Sequence, residues 1–87
     1  MELKQQFVMR EVAGETLLIP VGKTSLSLNG MITLNEVGAE IWKMLPDVKN
    51  EEEIVARIGE EYDAEPEEIR ADVRKFLNQI RELKIID

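Results

Sequence analysis

The stretch from Gly30 to Trp42 constrains the fold most, because the spacing of its apolar side chains changes period. Residues 31–34 alternate like a short β-strand, with Ile32 and Leu34 on one face. Further along, the apolar residues follow the 3.6-residue spacing of an amphipathic helix. Asn35 stands at the change, where a short side-chain acceptor can cap the first turn of a helix. The sequence therefore predicts a strand that passes directly into a helix.

The residues before this stretch predict the rest of a small antiparallel sheet. Phe7–Val12 and Thr16–Val21 are rich in β-forming residues and are separated by a short turn. Ser25–Leu28 alternates polar and apolar residues and is also expected to be extended. Asn29-Gly30 follows it and is typical of a type I′ hairpin turn. In this arrangement Met31–Leu34 has one strand neighbour, and its other edge stays open.

The remainder of the chain predicts three helices. The first runs from about Glu36 to Leu45, because the proline that follows disfavours helix in the residue before it. The second begins at Asn50, and the third covers residues 66–84. The third helix carries an apolar stripe at helical spacing: Ile69, Val73, Phe76, Leu77, Ile80 and Leu83. The predicted fold class is α+β, a three-stranded antiparallel sheet followed by three helices in a single domain over residues 1–87.

Two residues of the first helix suggest how it packs. Gly38 indicates a close approach of another part of the backbone, which we expect to be the sheet. Trp42 lies at the margin of the apolar stripe and is expected in the core.

Composition disfavours several classes of function. The chain has a net charge of −7, and an acidic protein is repelled by nucleic acid. It contains neither cysteine nor histidine, which removes the thiolate nucleophile and the commonest metal ligand. It shows no secretory signal and no apolar run long enough to cross a bilayer. We therefore expect no catalytic residues, no metal, no cofactor, no nucleic-acid or membrane partner, and a cytoplasmic location.

Several segments, taken in order, resemble one protein family. The stretch from Asn29 to Trp42 contains the pattern Leu-Asn-x-x-Gly-x-x-Ile-Trp, which is similar to the most characteristic segment of that family. Arg10–Glu15 and Pro20-Val21-Gly22 look like its hairpin region, and the residues from Glu61 to Leu77 look like its closing helices. The family is the PqqD-like proteins, named for coenzyme PQQ synthesis protein D. Its members are also described as recognition elements for ribosomally synthesised, post-translationally modified peptides. The resemblance extends from Phe7 to Ile86.

This resemblance implies a winged helix-turn-helix-like fold and a non-catalytic role. Such proteins bind the leader segment of a precursor peptide and present it to a modifying enzyme, often a radical SAM enzyme. The leader would lie as an extra strand against Met31, Ile32, Thr33 and Leu34, in a groove whose other wall is the helix of residues 66–84. The lasso-peptide branch usually has a tighter turn before the third strand. The longer loop from Gly22 to Gly30 therefore favours a radical SAM partner.

Two features keep alternative interpretations open. An open strand edge is also covered in some proteins by a terminal tail or by a second copy, so a homodimer through this edge would compete with the peptide. The third helix carries a basic strip of Arg70, Arg74 and Arg81 with Leu77 beside it. This strip would either bind acidic side chains of the leader or form a solvated helix face whose arginines pair with Glu67 or with the second helix. A winged-helix DNA-binding regulator is the alternative function, and the acidic charge opposes it.

Overall fold

The computed structural model describes residues 1–27 and 30–87. The described residues form β1 (Phe7–Val12), β2 (Glu15–Pro20), α1 (Thr24–Ser27), β3 (Ile32–Leu34), α2 (Glu36–Met44), a 3-10 turn (Leu45–Asp47), α3 (Glu51–Glu61) and α4 (Pro66–Glu82). A three-stranded antiparallel sheet thus precedes three longer helices, as the α+β prediction requires.

The sheet has the order β1-β2-β3, so the second strand is central. Leu18 of β2 faces Met9 of β1 on one side and Ile32 of β3 on the other. Between β1 and β2, Ala13 and Gly14 both have positive φ angles, of 53° and 82°. Positive φ at both central residues is typical of a type I′ turn, whose twist matches that of a two-stranded ribbon. In the described part of the chain, β3 pairs with β2 alone.

The prediction of an extended segment at Ser25–Leu28 is wrong for the residues described, because Thr24–Ser27 forms the short helix α1. The Thr24 hydroxyl accepts a hydrogen bond from the backbone N of Gln6 at 2.7 Å and donates one to Gln5 Oε1 at 3.0 Å. Ser25 Oγ donates to the carbonyl of Gly22 at 2.6 Å. The Ser25 bond is local, and such a bond competes with strand formation, whereas the two Thr24 bonds tie α1 to the segment before β1. Leu28 and Asn29, and with them the predicted Asn29-Gly30 turn, lie outside the described residues.

Both predicted N-caps are confirmed. Asn35 Oδ1 accepts a hydrogen bond from the backbone N of Gly38 at 2.7 Å, and α2 begins at the next residue. Asn50 Oδ1 accepts from the backbone N of Glu53 at 3.0 Å at the start of α3. The side-chain acceptors satisfy amide groups that have no partner in the first helical turn.

The predicted helix ends differ slightly from the observed ones. The α2 helix gives way to a 3-10 turn that contains Pro46, so its α-helical part ends at Met44. The α4 helix ends at Glu82, before the predicted boundary at residue 84. Lys84 has a φ angle of +60°, a left-handed conformation that terminates a helix.

The core lies between the helices and one face of the sheet. Trp42 is 8% exposed, which confirms the prediction that it is a core residue, and its ring packs edge-on against Phe7 at a centroid distance of 5.9 Å. The largest fully buried side chains come from the sheet, all three long helices, the 3-10 turn and the C-terminal segment: Leu18, Ile41, Leu45, Ile54, Ile58, Val73, Leu77, Ile80 and Ile85. Among the described residues, no helix combines the length and the apolar character that crossing a membrane requires.

Candidate functional site

The outer edge of β3 offers unpaired backbone groups. Ile32, Thr33 and Leu34 pair with Leu18, Leu17 and Thr16 of β2, and no described strand lies on their other side. On such an edge, every second residue directs its N–H and C=O away from the neighbouring strand. Proteins usually protect an open edge with charge, proline or a bulge. The three residues of β3 include neither a charged residue nor a proline, so two of these protections are missing from the edge.

The side chains of β3 hold that edge in place. Leu34 is 6% exposed and Ile32 is partly buried against the core, whereas Thr33 is exposed. The prediction that Ile32 and Leu34 share the inner face is therefore confirmed. Met31 precedes the strand instead of belonging to it, and its side chain is 61% exposed.

A pocket lies beside this edge, between β3, the start of α2 and one flank of α4. Its volume is about 140 Å³. The floor is formed by buried apolar side chains, and the rim by exposed polar ones. The lining residues are Thr33, Leu34, Asn35, Val37, Gly38, Ile41, Asp72, Lys75, Phe76 and Gln79.

Gly38 determines the shape of the pocket floor. A β-carbon at Gly38 would lie 3.4 Å from Cε1 of the Phe76 ring and 3.2 Å from Asn35 Oδ1. The prediction that Gly38 approaches the sheet is therefore wrong, because the element closest to it is α4. The missing side chain lets the first turn of α2 pack tightly against α4 while leaving the pocket above it open.

The charged residues at the rim of the pocket are Asp72 and Lys75. Both are exposed, and neither side chain has a hydrogen-bond or ion-pair partner within residues 1–27 and 30–87. Gln79 lies one turn beyond Lys75 and is also exposed. The α4 wall of the pocket therefore carries one free carboxylate, one free ammonium group and an amide.

The predicted basic strip lies on the other flank of α4. Arg70 pairs with Glu52, and Arg74 Nη2 lies 3.2 Å from Glu51 Oε2, so both arginines contact the first turn of α3. The hydrogen bond that Arg74 donates to Glu51, together with the charge of that carboxylate, raises the pKa of Arg74 above its usual value. At about 100° per residue, the arginine flank is roughly 160° away from the flank that lines the pocket.

The two remaining residues predicted on this helix also lie away from the pocket. Arg81 Nε donates to the carbonyl of Asp87 at 3.0 Å. Leu77 is fully buried and supports the core. The contacts of Arg70 and Arg74 match the alternative in which the strip pairs with the second long helix.

A second group of interacting charges lies where α2 meets the end of α3. Partial burial of the Tyr62 phenol raises its pKa above the usual 10.0, and the charges of Glu36 and Glu40 and a hydrogen bond to Glu36 raise it further.

No group of three or more acidic residues in the described ranges is arranged to hold a metal ion.

The site residues that sequence reasoning missed are Asp72, Lys75 and Gln79 on α4, together with the pocket floor at Gly38. Helical periodicity places all three polar residues outside the apolar stripe, but it does not say which of the two flanks faces β3. The one useful signal was Gly38, whose lack of a side chain indicated a tight contact on the pocket side of α2.

The fold and the groove together define a small α+β protein with an open strand edge beside a pocket that has an apolar floor and a polar rim. The family described as Coenzyme PQQ synthesis protein D (PqqD) matches residues 8–86, and the chain belongs to this family. The resemblance to PqqD-like proteins is thereby confirmed. The structure of TbiB1 in complex with the TbiA(beta) leader peptide has a similar fold, with a TM-score of 0.72 and 25% sequence identity. That similarity covers 100% of this chain and 95% of the TbiB1 chain. No curated protein matches the chain.

Proposed function

We propose that this protein is a non-catalytic binding module that captures the leader segment of a ribosomally made precursor peptide by β-strand addition at Met31–Leu34. The observation that carries the proposal is the unpaired edge of β3 next to a side-chain pocket. Membership of the PqqD family supports it, and so does the similarity to TbiB1, a protein whose structure contains a leader peptide.

Strand addition explains why the edge and the pocket occur together. An extended peptide gains affinity from main-chain hydrogen bonds to the edge, and it gains a fixed register from pockets that hold alternate side chains. The edge of β3 supplies the hydrogen bonds. The pocket bounded by Thr33, Gly38 and Phe76 supplies a position for a side chain that points toward α4.

The contribution of α4 is assigned to the residues that line the pocket, Asp72, Lys75, Phe76 and Gln79. Arg70 and Arg74 are occupied by carboxylates of α3, so a peptide in the groove would have to compete with those pairs and reach around the helix. In this proposal Leu77 contributes indirectly, because it belongs to the core that positions α4.

The bound leader is presented to a modifying enzyme, for which we propose a radical SAM enzyme. The support is the resemblance to PqqD-like proteins that serve such enzymes, together with the long segment from Gly22 to Gly30 before the third strand. A gene for a radical SAM enzyme beside a short open reading frame in the same gene cluster would supply both partners.

Two other occupants of the site are outcomes of the test. A second copy of the chain could pair with the same edge, and its presence would make peptide affinity fall as protein concentration rises. Duplex DNA is disfavoured because the first turn of α3 carries three carboxylates, Glu51, Glu52 and Glu53. Gel-shift titration with random duplex at low salt checks this alternative.

The test uses ¹⁵N-labelled protein and the synthetic leader encoded by that neighbouring reading frame. We expect amide shifts and slowed hydrogen exchange at residues 31–34, with smaller shifts at Lys75 and Phe76. A scrambled leader of the same composition is the control. Strong shifts elsewhere with residues 31–34 unchanged would overturn the proposal.

Backbone methylation of the peptide makes the test specific for strand addition. Two versions of the leader carry N-methyl groups on alternate residues, one on the odd and one on the even positions. Because an added strand uses only every second N–H toward its neighbour, one version should lose binding and the other should retain most of it. Equal loss or equal retention would contradict strand addition.

A further inference from the structure

The pocket beside β3 has room for one side chain. Its volume is about 140 Å³. An apolar protein cavity of about 150 Å³ holds a molecule of benzene. The floor consists of Leu34, Ile41 and Phe76, none of which is more than 8% exposed. An aromatic ring or a branched aliphatic side chain therefore has the size that the pocket accepts, and it would rest on the apolar floor below the polar rim.

Gly38 sets the depth of this pocket. A β-carbon there would lie in close van der Waals contact with the Phe76 ring, at 3.4 Å, and closer still to Asn35 Oδ1, at 3.2 Å, so one methyl group would take space from the floor. The ring is held in the core and has little room to move away. The size of the side chain that the pocket accepts thus depends on Gly38, which has no side chain of its own.

The rim adds a pattern of charge. Asp72 and Lys75 are three positions apart on one helix, a spacing at which opposite charges often pair. Lys43 and Glu40 have the same spacing on α2 and do pair, at 3.4 Å. Asp72 and Lys75 form no such pair, which leaves both charges available beside the pocket.

We propose that the groove selects peptide strands in which one ring-sized or branched apolar residue is flanked by an acidic residue facing Lys75 and a basic residue facing Asp72. Gly38 is the residue that limits the size of the apolar anchor. This inference rests on the proposed function, because it assumes that the occupant is a strand paired with β3.

The experiment selects binders from a displayed library of random 12-residue peptides on the intact protein. The wild type should enrich peptides with one Phe, Tyr, Leu or Ile between charges of opposite sign. The exchange variant Asp72→Lys/Lys75→Asp keeps the net charge and should invert the order of the enriched charges. Peptides selected on the wild type should bind the exchange variant roughly three- to fivefold more weakly, as expected for solvent-exposed ion pairs.

A matched control exchanges charges on the opposite flank. Glu52→Arg/Arg70→Glu reverses an existing ion pair and also keeps the net charge. Selection on this variant should give the same charge order as the wild type. If it inverts the order as strongly as the exchange of Asp72 and Lys75 does, the rim charges are not what the peptide contacts.

The size limit is tested with two substitutions of opposite effect. Gly38→Ala should shift selection toward peptides with Val or Ala as the anchor. It should weaken the binding of peptides with an aromatic anchor roughly tenfold, the usual effect of about one methylene in an apolar pocket. Phe76→Leu should instead admit Trp, which gives a second test if Gly38→Ala does not fold. Unchanged anchor preferences in the folded variants would refute the size limit.

Failure of this inference can be told apart from failure of the proposed function. If enriched peptides shift the amides of residues 31–34 but show no preference for anchor size or flanking charge, the selectivity is refuted and strand addition stands. If no enriched peptide perturbs β3, the proposed function itself fails.

Discussion

The backbone of Gly38 lies so close to Phe76 that a β-carbon on Gly38 would be 3.4 Å from the ring carbon Cε1. This contact joins the first turn of α2 to the middle of α4. It places the strand that precedes α2 next to the helix that forms the other wall of the groove. The distance between β3 and α4, and hence the width of the groove, depends on this contact.

Gly38→Ala should therefore lower the free energy of unfolding by about 1 kcal/mol. Alanine gains up to about 1 kcal/mol over glycine inside a helix. The added β-carbon would lie 3.2 Å from Asn35 Oδ1 as well as 3.4 Å from the Phe76 ring, and crowding the capping acceptor and the ring together costs about 1–3 kcal/mol, which outweighs that gain. Denaturant unfolding followed by circular dichroism measures the difference.

Gly59→Ala is the matched control for this substitution. Gly59 is exposed on α3, and a β-carbon there would have only an ordinary contact of 3.8 Å with Ile69. It should raise the free energy of unfolding by about 0.5–1 kcal/mol. If both alanines stabilise the protein equally, the contact between Gly38 and Phe76 is not tight.

The cap of α2 should matter for both stability and binding. Asn35→Ala removes the acceptor for the Gly38 amide and should cost about 1 kcal/mol of stability, whereas Asn35→Asp should restore most of it. Asn50→Ala removes the equivalent cap of α3 and should cost a similar amount. Because only Asn35 lines the pocket, only its substitution should also weaken the leader in a fluorescence-anisotropy titration. Equal weakening by both alanines would mean that affinity follows overall stability.

Lys75 and Arg74 are adjacent in the sequence, but Lys75 lies on the flank of α4 that faces the groove and Arg74 lies on the flank of the basic strip. Lys75→Gln and Arg74→Gln remove the same charge from opposite flanks of one helix. Lys75→Gln should weaken an acidic leader several-fold, while Arg74→Gln leaves its affinity unchanged. Both substitutions should leave the midpoint of denaturant unfolding nearly unchanged, because the side chains are exposed. The reverse pattern of affinities would assign peptide recognition to the arginine strip.

Tyr62 should titrate above its usual range. It is the one tyrosine in the sequence, so phenolate absorbance near 295 nm reports its ionisation directly. Its partial burial and the neighbouring carboxylates disfavour the phenolate, so we expect a midpoint above 10.0. Glu36→Gln removes one of these charges and should lower the midpoint. A wild-type midpoint at or below 10.0 would contradict the described surroundings of the phenol.

The raised pKa of Tyr62 also predicts the direction in which stability changes with pH. A pKa raised in the folded protein means that the unfolded chain ionises first as the pH increases. The contribution of Tyr62 is therefore fully present below about pH 10 and is lost as the pH rises through the folded-state pKa. Thermal unfolding between pH 9 and pH 11 measures this loss. The unfolding midpoint of Tyr62→Phe should fall less over this range than that of the wild type.

The local elements followed largely from the sequence. The change of apolar period at Asn35 predicted the strand-to-helix junction, and the side chains of Asn35 and Asn50 cap the helices as expected. The stripe on α4 predicted its buried face. These features depend on interactions between residues a few positions apart, which spacing and side-chain chemistry specify. Alternation at Ser25 failed as a signal because Ser25 makes a local hydrogen bond to Gly22 and Thr24 makes long-range bonds to Gln5 and Gln6, neither of which alternation reveals.

The composition of the groove was decided by the tertiary structure alone. An amphipathic stripe specifies which face of α4 is buried, but the two flanks beside that stripe are equivalent until the neighbouring elements are placed. Packing of α3 against one flank pairs Arg70 and Arg74 with Glu52 and Glu51. The contact of Gly38 with Phe76 turns the other flank, with Asp72 and Lys75, toward β3. The sequence by itself therefore determined the open edge, and long-range packing determined which side chains stand beside it.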